Sequence, residues 1–94
     1  MSDDELLREA EVLAARYAEH YDAEHAEAMK ELVRLCMRRL RGTNRLVAEA
    51  RQREHIKLEN IEEFERQRLA ARQKLADELE IVRRAVALAM ARRS

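Results

Sequence analysis

Arg41-Gly42-Thr43-Asn44-Arg45 is the stretch whose reading decides how this chain folds, because Gly42 is its only glycine and it has no proline. Glycine takes the left-handed conformation past a helix end most cheaply, and Thr43 or Asn44 can accept the orphan N–H groups of a following helix. The spacing therefore predicts an antiparallel two-helix hairpin, about 3–41 and 44–92, with residues 1–94 forming a single helical-hairpin domain.

Working outward from that turn, Ser2-Asp3-Asp4-Glu5 reads as a capping box, with its acids at the positive end of the helix dipole. Apolar residues then recur at Leu6, Ala10, Leu13, Tyr17, Tyr21, Ala28, Leu32, Cys36 and Leu40, spaced by threes, fours and a single seven. Beyond the turn the stripe runs through Val47, Ala50, Leu58, Ile61, Phe64, Leu75, Leu79, Val82 and Val86, and Arg92 and Arg93 favour the negative end. Asp22 and Asn60-x-x-Glu63 are alternative helix starts, but neither has Gly or Pro beside it, so the reading keeps both helices unbroken.

A composition of 40% charged, 47% apolar and 3% aromatic residues belongs to long helices or coiled coils. One layer of two helices buries one stripe of each and leaves the rest exposed, so two hairpins are expected to pair into a four-helix bundle or coiled-coil assembly. A homo-oligomer is the implied partnership, with a dimer favoured and a helical protein partner as a further option. Helix two overhangs helix one over 83–93, and the interface is assigned to Leu58, Ile61, Phe64, Leu79, Val82, Val86 and Met90.

Formal charge is zero, which argues against a generic polyanion binder. No apolar run approaches the ~20 residues that span a bilayer. The start of the chain is acidic where a signal peptide is basic, so a cytoplasmic location and no membrane contact are expected. Folding back at the turn pairs residue i with residue 85 or 86 minus i. That register sets Asp3, Asp4, Glu5, Glu9 and Glu11 near Arg72, Lys74, Arg83 and Arg84.

Polar residues also fall on the apolar stripes. Tyr17, Tyr21, His25, Glu65 and Arg68 reach similar heights in that register and form the expected core polar network, fixing register and partner number. The alternative is a metal site, with Zn or Fe held by His25, Glu65, Asp22 and Glu54, because helical bundles build such centres from inward carboxylates and Glu-x-x-His pairs. Tyr21-Asp22-Ala23-Glu24-His25-Ala26-Glu27 faintly resembles the metal-binding helix of ferritin-like proteins; helix two has no Glu-x-x-His, and on the leading reading there is no cofactor.

Cys36 on the stripe reads as a small core residue, and three turns separate it from His25. With serines only at Ser2 and Ser94, no triad is expected and the chain is read as not an enzyme. Arg34, Arg38, Arg39, Arg41, Arg45, Arg51 and Arg53 crowd the turn; they are expected to be a solvated helix end, with RNA or DNA binding as a second alternative. That hairpin-with-basic-turn geometry resembles the ROP-type dimers of helical hairpins, which bind RNA.

The stretches Asp3-Asp4-Glu5-Leu6-Leu7-Arg8-Glu9-Ala10-Glu11 and Leu75-Ala76-Asp77-Glu78-Leu79, with capped termini and Ala/Glu/Arg-rich surfaces, resemble computationally designed helical bundles. For a designed chain a cell compartment does not apply. Such a resemblance implies a structural role, as an assembling scaffold or a binder.

Overall fold

A computed structural model describes residues 1–93 and shows three α-helices, with no strand among the described residues. They are α1 (Asp3–His20), α2 (Ala23–Gln52) and α3 (Leu58–Arg93). The expected two-helix hairpin is therefore corrected to a three-helix fold, and the turn expected at Gly42 lies inside α2.

The chain reverses first at Tyr21-Asp22, both extended in backbone. Asp22 caps α2, its carboxylate accepting the His25 N–H at 2.9 Å, which satisfies an orphan donor of the new helix. Tyr21 pins the turn from outside: its ring stacks on Tyr17 with centroids 4.2 Å apart, and its hydroxyl donates to the Ala85 carbonyl of α3 at 2.7 Å. The second reversal runs from Arg53 to Lys57 and uses neither Gly nor Pro.

Why α2 passes through Gly42 follows from its apolar spacing. Val33, Cys36, Met37, Leu40, Val47 and Ala50 are buried on one helical face that continues without a break on both sides of the glycine. A mid-helix glycine costs about 1 kcal/mol relative to alanine. Burying one large aliphatic side chain contributes roughly 1.5–3 kcal/mol, and α2 buries Val47 and Ala50 beyond the glycine as it buries Leu40 before it, so packing outweighs propensity. Gly42 keeps a negative φ, and the Thr43 hydroxyl donates back to the Leu40 and Arg39 carbonyls rather than capping a new helix.

Ion pairs establish the directions of the three rods. Arg41 on α2 meets Glu11 on α1, and Arg51 meets Glu65 on α3, so α2 runs antiparallel to both neighbours. Asp3 meets Arg68 and Arg72, and Glu9 meets Arg83, so α1 and α3 are parallel. The charge blocks that the sequence matches do meet, but in the opposite sense from the expected register. Intervening α2 makes the first and third rods point the same way.

The core joins Leu6, Ala10, Leu13 and Tyr17 of α1 to Val33, Met37 and Leu40 of α2 and Leu75, Leu79 and Val82 of α3. Every buried residue described is apolar. Leu79, Val82 and Val86, assigned from the sequence to an oligomer interface, are buried inside this single chain, because α1 supplies the cover expected of a partner. Residues 83–86 likewise have neighbours and are no overhang: Arg83 pairs with Glu9, and Ala85 accepts from Tyr21.

The rod measures 58 × 22 × 16 Å. At about 1.5 Å per residue α1 reaches only about half the length of α3, so the end formed by the last turns of α2 and the first of α3 is two helices thick. Ile56, Ile61 and Phe64 are half-buried there, and Val47 and Ala50 are buried but lie outside the continuous core.

Candidate functional site

The polar residues that the sequence groups together are distributed along the rod. His25 is exposed in the first turn of α2, where its ring Nδ1 lies 2.6 Å from the Asp22 carboxylate. Glu65 pairs with Arg51 near the other end of that helix. The 26-residue separation between 25 and 51 corresponds to about 39 Å along α2. Arg68 is engaged with Asp3, and Tyr17 with Tyr21. The five-residue network is thus replaced by separate local contacts, because its heights were reckoned from a turn that does not form.

Asp22 and His25 do form a pair, and each shifts the other. The carboxyl is held below its ordinary range, chiefly by the His25 backbone N–H and then by its ring. The imidazole is held above its ordinary range by the hydrogen bond to Asp22. This is capping chemistry: the Asp-x-x-His spacing puts a cap and its third-residue partner within reach across one turn. Glu54 is exposed in the second reversal. Among the described residues no group of three or more His, Cys, Asp or Glu side chains converges as metal ligands.

Cys36 is buried, and burial, with Glu78 adding to it, pushes the thiol up from its ordinary value. A protonated, enclosed thiol is a packing residue. The arginines expected to crown a turn are instead strung along α2, with Arg34, Arg38, Arg41 and Arg45 following one another at three- and four-residue steps on one exposed face. Arg34 pairs with Glu31 and Arg41 with Glu11.

Between α1 and α2 runs a groove of about 440 Å³, floored by Ala10, Ala14, Ala18 and Ala26 and edged by Lys30, Arg34 and Arg41. Short side chains on both helices create it. Glu11 and Glu27 stand among those bases at its edge, so the polar groups are confined to the rim and the floor has none to orient a small molecule.

The surface with the strongest chemical character lies on the other flank of α2, toward α3. Leu32 and Leu35 stand out of the bundle, 38% and 49% exposed, while their neighbours Val33 and Cys36 are buried. On α3, Ile81 and Leu88 are 55% and 51% exposed. The Arg51–Glu65 pair and the proximity of Cys36 to Glu78 set the antiparallel register, which places Ile81 level with Leu32. Apolar side chains of two neighbouring helices therefore share one exposed face. Of the assigned interface residues, Leu58 and Met90 are exposed, and Ile61 and Phe64 are half-buried at the two-helix tip.

The sequence carries a signal for this face, but on an unbroken helix it reads as core. Leu32 sits on the apolar stripe Tyr21, Ala28, Leu32, Cys36, which assumes one continuous helix; the break at Tyr21-Asp22 shifts the buried face by one residue, onto Met29 and Val33. The seven-residue step from Tyr21 to Ala28 marks that slip.

No helix among the described residues is long and apolar enough to cross a membrane. In comparisons with known proteins, no family model matches the chain, and no curated protein or solved structure is significantly similar to it.

Proposed function

We propose that this chain is a non-enzymatic helical bundle that works by associating with copies of itself, an assembling scaffold of the kind implied by its likeness to designed bundles. One observation carries the reading: Leu32, Leu35 and Ile81 share a face of α2 and α3 and stay about 40–55% exposed in a molecule whose core is otherwise completely apolar. Exposed apolar patches of this kind mark interaction surfaces on small proteins. The bundle closes its own core first, and association then covers the remaining face.

The test is light-scattering mass measured from low to high micromolar protein, with and without a chelator. A mass that rises reversibly with concentration, unchanged by chelator, supports the reading. A single-chain mass throughout overturns it, and a mass that falls when chelator is added favours the metal-binding alternative around Asp22 and His25. The arginine face of α2 makes a nucleic-acid partner the other outcome to examine. A mobility shift with RNA or DNA that disappears steeply with salt would select it.

A further inference from the structure

α2 carries a second three- and four-residue stripe besides its buried one: His25, Ala28, Leu32, Leu35, Arg39 and Gly42, all exposed. In heptad terms these are successive a and d positions. The flanking g positions are Glu24, Glu31, Arg38 and Arg45, also all exposed. Acids thus occupy the first half of the flank and bases the second. Glu24, Arg38 and Arg45 form no salt bridge among the described residues, and Glu31 has only a surface pair with Arg34 at 3.3 Å.

We propose that a second copy of this chain docks antiparallel on this face of α2, about a two-fold axis passing between Leu32 and Leu35. The inference rests on the self-association proposed above and names its surface and register. An isologous interface requires one patch to complement itself, and this patch does so in both charge and shape.

Charge selects the register. In an antiparallel pair g faces g, so Glu24 meets the second copy's Arg45 and Glu31 meets its Arg38, each pair occurring twice by symmetry. A slip of one heptad one way sets Arg38 against Arg38, and a slip the other way sets Glu31 against Glu31. Only the central register is free of like-charge contacts, and that is how such flanks specify orientation.

Shape agrees with the same register. Leu32 lies against the second copy's Leu35 at the centre. Moving outward, the short Ala28 faces the long Arg39, and His25 faces Gly42, so each large side chain meets a small one. Gly42 is otherwise an unrewarded choice: a Cβ there would meet nothing within 4 Å inside the chain, its φ is negative, and glycine weakens a helix interior. Open space over Gly42 lets a second helix approach closely. Ile81, level with Leu32 on α3, extends the apolar contact.

The experiment uses the whole chain in sedimentation equilibrium, with helicity checked by circular dichroism. Parent protein is expected to form a reversible dimer. E24R/E31R and R38E/R45E, each alone, set like charges together and should weaken dimerisation on the order of tenfold or more, and mixing them in equal amounts should restore it as a heterodimer. Gly42→Leu should weaken dimerisation while leaving the diluted chain at least as helical as the parent, which separates a lost interface from a lost fold. If the parent dimerises but these variants dimerise equally well, or the mixture fails to recover, this interface is wrong and the association reading survives. If the parent remains a single chain at every concentration, both fall.

Discussion

Asp22 is the residue on which the chain's first reversal depends, and its partnership with His25 makes that dependence visible to pH. The imidazole is held above its ordinary range, so its contribution is complete below about pH 6.5 and is lost as pH rises through the elevated folded value. The Asp22 carboxyl is held below its ordinary range, so its contribution is present above about pH 4 and is lost as pH falls through the lowered folded value. Both act together in the window between. Urea midpoints for parent and Asp22→Ala should therefore differ most between about pH 4 and 6.5, with the variant less stable. His25→Ala should abolish the loss on the alkaline side alone; a parent whose midpoint stays level from well below about pH 4 to well above about pH 6.5 would show that the pair has no part in stability.

Among the elements, α2 shows how much of this fold could be read and what hid the rest. The start of α1 at Ser2, the helical character of nearly every residue, the apolar positions Leu75, Leu79, Val82 and Val86 of α3 and the meeting of Asp3 and Glu9 with arginines of α3 were all legible. The number of helices was not, because the strongest local breaker, Gly42, is overruled by a buried face that continues on either side of it. The true reversals carry weaker marks. One is a cap without glycine at Asp22. The other is a gap in the apolar stripe, where Arg53 and Glu54 stand one turn beyond Ala50 at positions that a continuing helix would have buried. Lys57, which precedes α3, has no side-chain acceptor to announce a helix start. The polar network is dispersed for the same reason, since its residues share a height only if the chain reverses at Gly42. Periodicity tracked across a suspected turn proved a better guide than the turn residues themselves. If α2 is continuous, Gly42→Ala should raise stability by about 1 kcal/mol, read from chemical denaturation at low protein concentration. A destabilised variant would mean that residue 42 needs a conformation α2 does not provide.

At the scale of the whole molecule, a core built from three helices of one chain changes what association does. Two bare hairpin helices would need a partner to fold; here Leu40, Leu75, Leu79 and Val82 are covered without one. Far-ultraviolet helicity should therefore persist on dilution well below the concentration at which the proposed assembly dissociates. Helix loss that tracks dissociation would show that the single-chain core is insufficient. This also limits what any assembly can contribute: it adds to an existing fold by mass action and does not create one.

The unequal lengths of α1 and α3 have a dynamic consequence. Where α1 is missing, α2 and α3 have only each other, with Val47 and Ala50 cut off from the main apolar cluster and Ile61 and Phe64 half-open to water. Such a forked end should fray before the rest melts, peeling apart from Arg53–Lys57 inward until it reaches the clamp of Arg68 and Arg72 on Asp3. Amide protons of 46–64 should exchange with deuterium well ahead of those near Leu40 and Leu75, and uniform protection along α2 would show that the rod opens all at once.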